Sequence, residues 1–267
     1  MSEANDLDAQ SVVGTTEADN PIMTTQIIDR VAVIELHRGP NNFFDERLLH
    51  DLAQAVLAVD EDPGIRGVVL CSEGKHFCAG ADLRGVTAEG IRRIYRQAFS
   101  LFTGRRPIVA AVQGAAVGGG LGLALAADFR VAGPAARFTA NFARIGFHQG
   151  FGLTITLPAV VGMQSALDLL YTGRAVDAEE ALRLGLCDRL VDDDPRAAAI
   201  ELAQEIATSA PLSLAAIRGT MRRRLVAEVH AALDQEADAQ IALLGTEDFA
   251  EGVAAAVAKR PPEFNGA

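Results

Sequence analysis

Two glycine-rich stretches hold the residues whose types and spacing can do chemistry. The first is Gly74-Lys75-His76-Phe77-Cys78-Ala79-Gly80-Ala81-Asp82-Leu83, directly after the apolar run Ile65 to Cys71. The second is Gln113-Gly114-Ala115-Ala116-Val117-Gly118-Gly119-Gly120-Leu121-Gly122, directly after Ile108 to Val112. Small residues let a backbone turn sharply and let a ligand approach its N–H groups closely. Consecutive glycines opening a helix leave several N–H donors unpaired at the positive end of the helix dipole. Two such turns can each present one N–H to a single oxygen, an oxyanion hole able to stabilise the enolate formed when a thioester carbonyl is polarised. The bland alternative is a pair of plain strand-to-helix turns. Neither stretch is a GxGxxG turn, and the Lys and Ser/Thr of a phosphate-binding loop are missing, which disfavours a nucleotide triphosphatase.

A third stretch, Asn141 to Phe151, offers His148, since an imidazole titrates near neutrality and works as acid or base. The competing reading is a histidine hydrogen-bonded in a loop. Gln149 can hold a water or carbonyl but cannot act as a base. Phe142, Phe147 and Phe151 either wall an acyl pocket or simply pack. Asp82 and Asp128 read as structural, because Asp in turns bonds nearby backbone. His76 reads as a turn residue, and His37 and His50 are isolated. Local positive charge comes from Arg218, Arg222, Arg223, Arg224, Lys259 and Arg260, with Arg38, Lys75 and Arg84 near the turns.

The elements that must position these residues alternate. A strand or hairpin over Ile27 to Ile34 precedes a Gly39-Pro40 break, and Asn42 is placed to cap a helix whose apolar positions are Leu48, Leu49, Leu52, Ala53, Val56 and Val59. Strand, turn and helix then recur through Ala132, and continuous apolar strands predict an α/β fold with buried, mostly parallel strands. After Val191-Asp192-Asp193-Asp194-Pro195 the texture is helical: Ala197 to Thr208, Leu212 to Arg224, Leu225 to Leu244, and a Thr246-capped helix to Ala258. Residues 1–20 lack apolar content and read as a disordered tail, 21–200 as the α/β core, and 201–267 as a helical lid or oligomerisation region.

The whole chain bounds its partners. Its 267 residues carry 24 Lys plus Arg against 35 Asp plus Glu, a net charge of −11 that repels phosphodiester backbones and anionic lipid. Neither nucleic acid nor a membrane is an expected partner, and the apolar runs are too short or too Gly-interrupted to span a bilayer. Three irregularly spaced cysteines, Cys71, Cys78 and Cys187, form no zinc pattern and read as thiols of a reducing compartment. The N-terminal MSEANDLDAQ has no signal-peptide pattern, so the expected location is cytoplasmic.

Both glycine stretches, together with Thr172-Gly173-Arg174, Ala178-Glu179-Glu180-Ala181, Gly185-Leu186, Glu251-Gly252 and Lys259-Arg260-Pro261, resemble the crotonase superfamily, the enoyl-CoA hydratase/isomerase group. The resemblance runs from about Ile27 to Phe264 and is most specific at Ala110 to Phe129. It implies a crotonase-like ββα spiral core with a C-terminal helical region, a coenzyme A thioester as substrate with no other cofactor and no metal, and a homo-trimer or hexamer. It places the oxyanion-hole donors on Ala81 and Gly119, with Ala79, Gly80, Asp82, Leu83, Gly118, Gly122, Phe142, Phe151 and Lys259 around the substrate. Hydratases of this family carry two glutamates at positions that match Gly122 and Phe142 here. Hydration needs both carboxylates to move protons, and neither glycine nor phenylalanine can. The expected activity is therefore an atypical transformation of an acyl-CoA through an enolate. The alternatives are a non-catalytic acyl-CoA binder and an isomerase or hydrolase using His148.

Overall fold

The computed structural model describes residues 21–267, so the tail expected over 1–20 lies outside the described residues. The chain runs β1 (Met23–Ile28), β2 (Val31–Leu36), α1 (Glu46–Glu61), β3 (Gly67–Ser72), α2 (Ala88–Thr103), β4 (Ile108–Val112), β5 (Ala115–Val117), α3 (Gly119–Ala126), β6 (Phe129–Ala132) and β7 (Arg137–Thr139). A 3₁₀ turn (Phe142–Ile145) follows, then α4 (Leu153–Val161), α5 (Met163–Thr172), β8 (Ala175–Asp177), α6 (Ala178–Leu184), β9 (Arg189–Leu190), α7 (Pro195–Ala207), α8 (Pro211–Leu243) and α9 (Glu247–Ala258).

Among the described residues the strands form a larger sheet in the order β1-β2-β3-β4-β6-β9 and a smaller one in the order β5-β7-β8. Only the β1–β2 hairpin is antiparallel in the larger sheet; β2 through β9 run parallel. β2, β3, β4 and β6 are each followed by a short extended piece beside the smaller sheet and then by a helix or helical turn. Phe44 bridges Ala81, Cys78 bridges Ala116, and β5 pairs β7, so successive turns of the chain stack their short pieces in register. That is the ββα spiral.

The larger sheet is covered on both faces, which is why its central strands β3 and β4 read as apolar runs. Alternate side chains divide the core: Ile34, Leu70, Ala110 and Val112 face the main cluster with α1, α2 and α3. Val33, Val69, Val109 and Val131 face Ala199, Leu202, Ala203 and Ala207 of α7. The boundary expected at residue 200 thus falls within a helix that completes the core layer. Two further expectations change. Asp45, not Asn42, caps α1, accepting the Leu48 N–H at 2.9 Å, while Asn42 is fully buried elsewhere. The expected break between Arg224 and Leu225 is absent, because nothing in Arg222-Arg223-Arg224-Leu225-Val226 interrupts a helix, and α8 runs for 33 residues.

Candidate active site

The two turns are fastened to each other before either meets a ligand. Cys78 donates to the Ala115 carbonyl and Val117 donates to the Cys78 carbonyl, both at 3.0 Å. His76 Nδ1 accepts the Ala115 N–H at 3.2 Å. The loop between β3 and Cys78 is stapled by two amides: Asn42 Nδ2 donates to the carbonyls of Glu73 and His76 at 2.8 and 2.7 Å, and Gln113 Nε2 donates to those of Ser72 and His76 at 3.0 and 3.1 Å.

Beyond Cys78 the pairing frees one donor. Phe44 donates to the Gly80 carbonyl at 3.0 Å and accepts from Asp82 N–H at 2.8 Å, the two bonds of a parallel bridge centred on Ala81. In that geometry the N–H of Ala81 points away from Phe44, and it has no acceptor among the described residues. In the second turn Gly118 donates to the Thr139 carbonyl at 2.8 Å and its own carbonyl receives Leu121 and Gly122. Gly119, first residue of α3, is left with an N–H that no intrahelical carbonyl can reach. The residue before each free donor is a left-handed glycine, Gly80 at φ 113° and Gly118 at φ 54°, a conformation that a side chain there would strain.

Ala81 and Gly119 border one cavity of about 180 Å³. Its walls are largely aromatic and aliphatic, with Phe44, Leu83, Ile94, Phe142, Phe147 and Phe151 prominent. The ring of Phe44 lies so close over Gly119 that a Cβ there would sit 2.5 Å from its Cζ, and Phe44 meets Phe151 edge-on at 5.4 Å. Polar side chains on the lining are few: Asp82, Tyr95, Asn141 and Gln240. Arg84 holds the Asp82 carboxyl down at about 2, by hydrogen bonding first, and the pair closes at 2.6 Å. Burial pushes the Tyr95 hydroxyl well above its ordinary range, and its proton goes to Gln240 Oε1 at 2.8 Å. None of these is poised to shuttle protons at neutral pH.

A model of the enoyl-CoA hydratase/isomerase family matches residues 26–267, a span that takes in both turns and the cavity walls. The chain belongs to this family. Within the wider crotonase superfamily, its relatives carry both hydratase and isomerase names. A probable enoyl-CoA hydratase of Mycobacterium tuberculosis, EchA14, is 42% identical over 188 residues, covering 68% of this chain and 73% of the relative. The 1,2-epoxyphenylacetyl-CoA isomerase of Escherichia coli is 33% identical over 237 residues, covering 84% of this chain and 90% of the relative. The crystal structure of an enoyl-CoA hydratase/isomerase from Pseudoalteromonas atlantica matches with a TM-score of 0.84 at 31% identity, covering 92% of this chain and all of the other.

Set in this family, the expected site residues divide cleanly. Ala79, Gly80, Ala81, Asp82, Leu83, Gly118, Gly119, Phe142 and Phe151 all line the cavity. Gly122 lies behind it, covered by Phe151. His148 is not on the lining; its Nδ1 donates to the neighbouring Gln149 carbonyl at 2.7 Å, and its own carbonyl accepts from Gln240 Nε2 at 2.8 Å. Lys259 is exposed at the end of α9, one helical turn beyond Ala256, which does border the cavity.

The arginines of α8 take a role other than ligand charge. Arg218 and Arg222 close on Asp128 at 2.8 and 2.6 Å; Arg218 also donates to the Gly104 carbonyl, and Arg222 to that of Ala126 at 2.9 Å. They bind the helix to the end of α3. Arg224 pairs with Glu228 at 2.6 Å on the surface.

Sequence reasoning passed over Phe43, Phe44, Tyr95 and Gln240 on the lining, and Glu236 behind it. One signal was present: Glu236 and Gln240 interrupt the apolar stripe Val229, Ala232, Leu233 and Ala237 at helical spacing. Polar residues on such a stripe are buried and need partners.

Proposed function

We propose that the chain transforms an acyl-CoA thioester by holding the thioester oxygen, as it gains enolate charge, between the N–H groups of Ala81 and Gly119. The observation that carries this reading is the pair of unspent donors on one apolar cavity, each set by a left-handed glycine. Lys259 supplies charge for the phosphates of coenzyme A, supported by its place one turn beyond Ala256. The substrate brings the only cofactor moiety. Bulk water does not add across the double bond by the two-glutamate route, because the matching positions hold Gly122 and Phe142. A reaction using His148 is less well supported than a loop-holding role, given its hydrogen bond to Gln149.

A second reading, an acyl-CoA binder without turnover, is favoured by the shortage of proton-transfer groups on the lining. A screen of CoA thioesters by mass spectrometry separates the two: product formation supports the enzyme, tight binding without product the binder. Gly119→Pro then tests the hole against Gly119→Ala, which brings the same Cβ against Phe44 but keeps its N–H. The proline variant should turn over about 10²–10³-fold more slowly than the alanine variant. Equal loss in both shows that the donor is not used.

The assembly we propose is a closed trimer or pair of trimers. Leu212 and Met221 on α8 are each 77% exposed, more apolar surface than a solvated helix needs. Free, buried Cys71, Cys78 and Cys187 fit a cytoplasmic location.

A further inference from the structure

Resting on the thioester reading above, we propose that Phe151 sets the acyl-chain length the site accepts, and that Glu236 is the positioning residue that holds it. The substrate class is a compact apolar acyl thioester, with an acyl group of about the bulk of one six-membered ring.

Gly122 and Phe151 interlock. A Cβ on Gly122 would lie 2.5 Å from the Cβ of Phe151, so the phenylalanine occupies the room that a side chain at 122 would need. Its ring is 1% exposed, lines the cavity and meets Phe44 edge-on, and Phe44 in turn covers Gly119. The distance from the Gly119 donor to the wall is therefore set by two rings in contact. The space in front of that wall has a matching size: about 180 Å³ lined largely by Leu, Ile and Phe, where an apolar cavity of about 150 Å³ holds a benzene molecule.

Phe151 is in a backbone conformation it would not choose. Its φ is 62°, in the left-handed region, and Gly152 follows at 77°. Three side-chain hydrogen bonds from α8 hold the segment there. Glu236 Oε2 accepts the Gly152 N–H at 2.8 Å; Glu236 Oε1 accepts the Thr154 N–H at 2.9 Å; Gln240 Nε2 donates to the His148 carbonyl at 2.8 Å. Glu236 is 1% exposed, and a carboxylate so buried is costly unless it is well bonded. Both of its oxygens are spent on backbone donors at the start of α4, so its work is to hold this wall.

The test measures dissociation constants of free CoA and of butyryl-, benzoyl-, octanoyl- and dodecanoyl-CoA by calorimetry. With each affinity divided by that protein's affinity for free CoA, the unmodified chain should bind butyryl- and benzoyl-CoA at least tenfold more tightly than octanoyl-CoA. Phe151→Ala should shift the octanoyl-to-butyryl ratio by tenfold or more toward octanoyl. Phe151→Gly, which accepts the left-handed backbone without strain, serves if the alanine variant does not fold. Glu236→Gln keeps one acceptor but loses the other, and should move the ratio in the same direction by a smaller factor; a residue with a merely structural role would lower all affinities alike. A chain-length profile in Phe151→Ala and Phe151→Gly that superimposes on the original overturns the proposal, as does an original that prefers octanoyl-CoA or longer. If no thioester binds the unmodified chain better than free CoA, the thioester reading falls and takes this one with it.

Discussion

Gly122 sits where the packing leaves no room for a side chain. A glutamate there would place its Cβ against the Cβ of Phe151, a contact of 2.5 Å that no rotamer change relieves. Gly122→Glu should lower stability by about 1–3 kcal/mol, the range for overpacking, in a denaturant titration. Combined with Phe151→Gly the loss should shrink, because neighbours in contact do not add independently. Crotonyl-CoA hydration by the unmodified chain should be slow or absent, each missing carboxylate removing roughly 10²–10⁴ in rate; hydration at ordinary rates would require a proton donor outside the cavity lining. The two turns were readable in the sequence as turns, because small residues cluster directly after apolar strands there; a plain strand-to-helix turn has the same composition, so their ligand-facing role was not. Tyr95 and Gln240 were not, since each sits in an ordinary helix and gains meaning only from what the spiral brings beside it. Asn42 misled for a related reason: asparagine caps helices and also bridges loop carbonyls, and its fully buried amide bonds Glu73 and His76.

β2, β3, β4 and β6 were legible because burial on both faces favours apolar side chains, and α1 because its six buried positions repeat at helical spacing, whereas β5, β7, β8 and β9, two or three residues each, are too short to carry a pattern. What could not be read was which partner each helix takes. The arginines of α8 looked like a solvated or phosphate-binding face, yet Arg218 and Arg222 converge on Asp128, whose side chain is only 15% exposed. Asp128 also accepts the Ile108 N–H at 2.8 Å, tying α8, β4 and the end of α3 to one carboxylate. Asp128→Ala leaves two guanidinium groups desolvated without a counter-charge, and removing one partner of a buried pair costs about 3–5 kcal/mol. Chemical denaturation should show that loss. A loss under 1 kcal/mol would mean that α8 is held by its apolar contacts alone.

The molecule as a whole is acidic, and its C-terminal segment is fastened by carboxylates. Glu251 takes Arg260 at 2.5 Å and the Glu263 N–H at 2.8 Å, and Asp248 accepts the N–H groups of Asn265 and Gly266 at 2.8 and 3.0 Å. Hydrogen bonding from Arg260 holds the Glu251 carboxyl at about 2, below its unfolded value. A depressed carboxyl pKa contributes stability above the unfolded value and loses it as pH falls through the folded one. Amide protection over residues 260–267, each rate divided into that of the unfolded chain at the same pH, should therefore stay high at pH 5 and fall between about pH 4 and 2; protection equally low at pH 5 would show the segment unanchored. In sedimentation the chain should run as a trimer or hexamer, and a stable monomer at micromolar concentration would remove the assembly proposed for α8. That helix has one more property. Arg218, near its start, grips the end of α3, and Glu236, eighteen positions on, grips the segment that covers the middle of α3, about 27 Å apart along one unbroken rod. A stiff strut pinned at two points to neighbourhoods of the same short helix keeps the end of α3 and the Phe151 segment from drifting independently, so thermal fluctuation of one should be felt as displacement of the other.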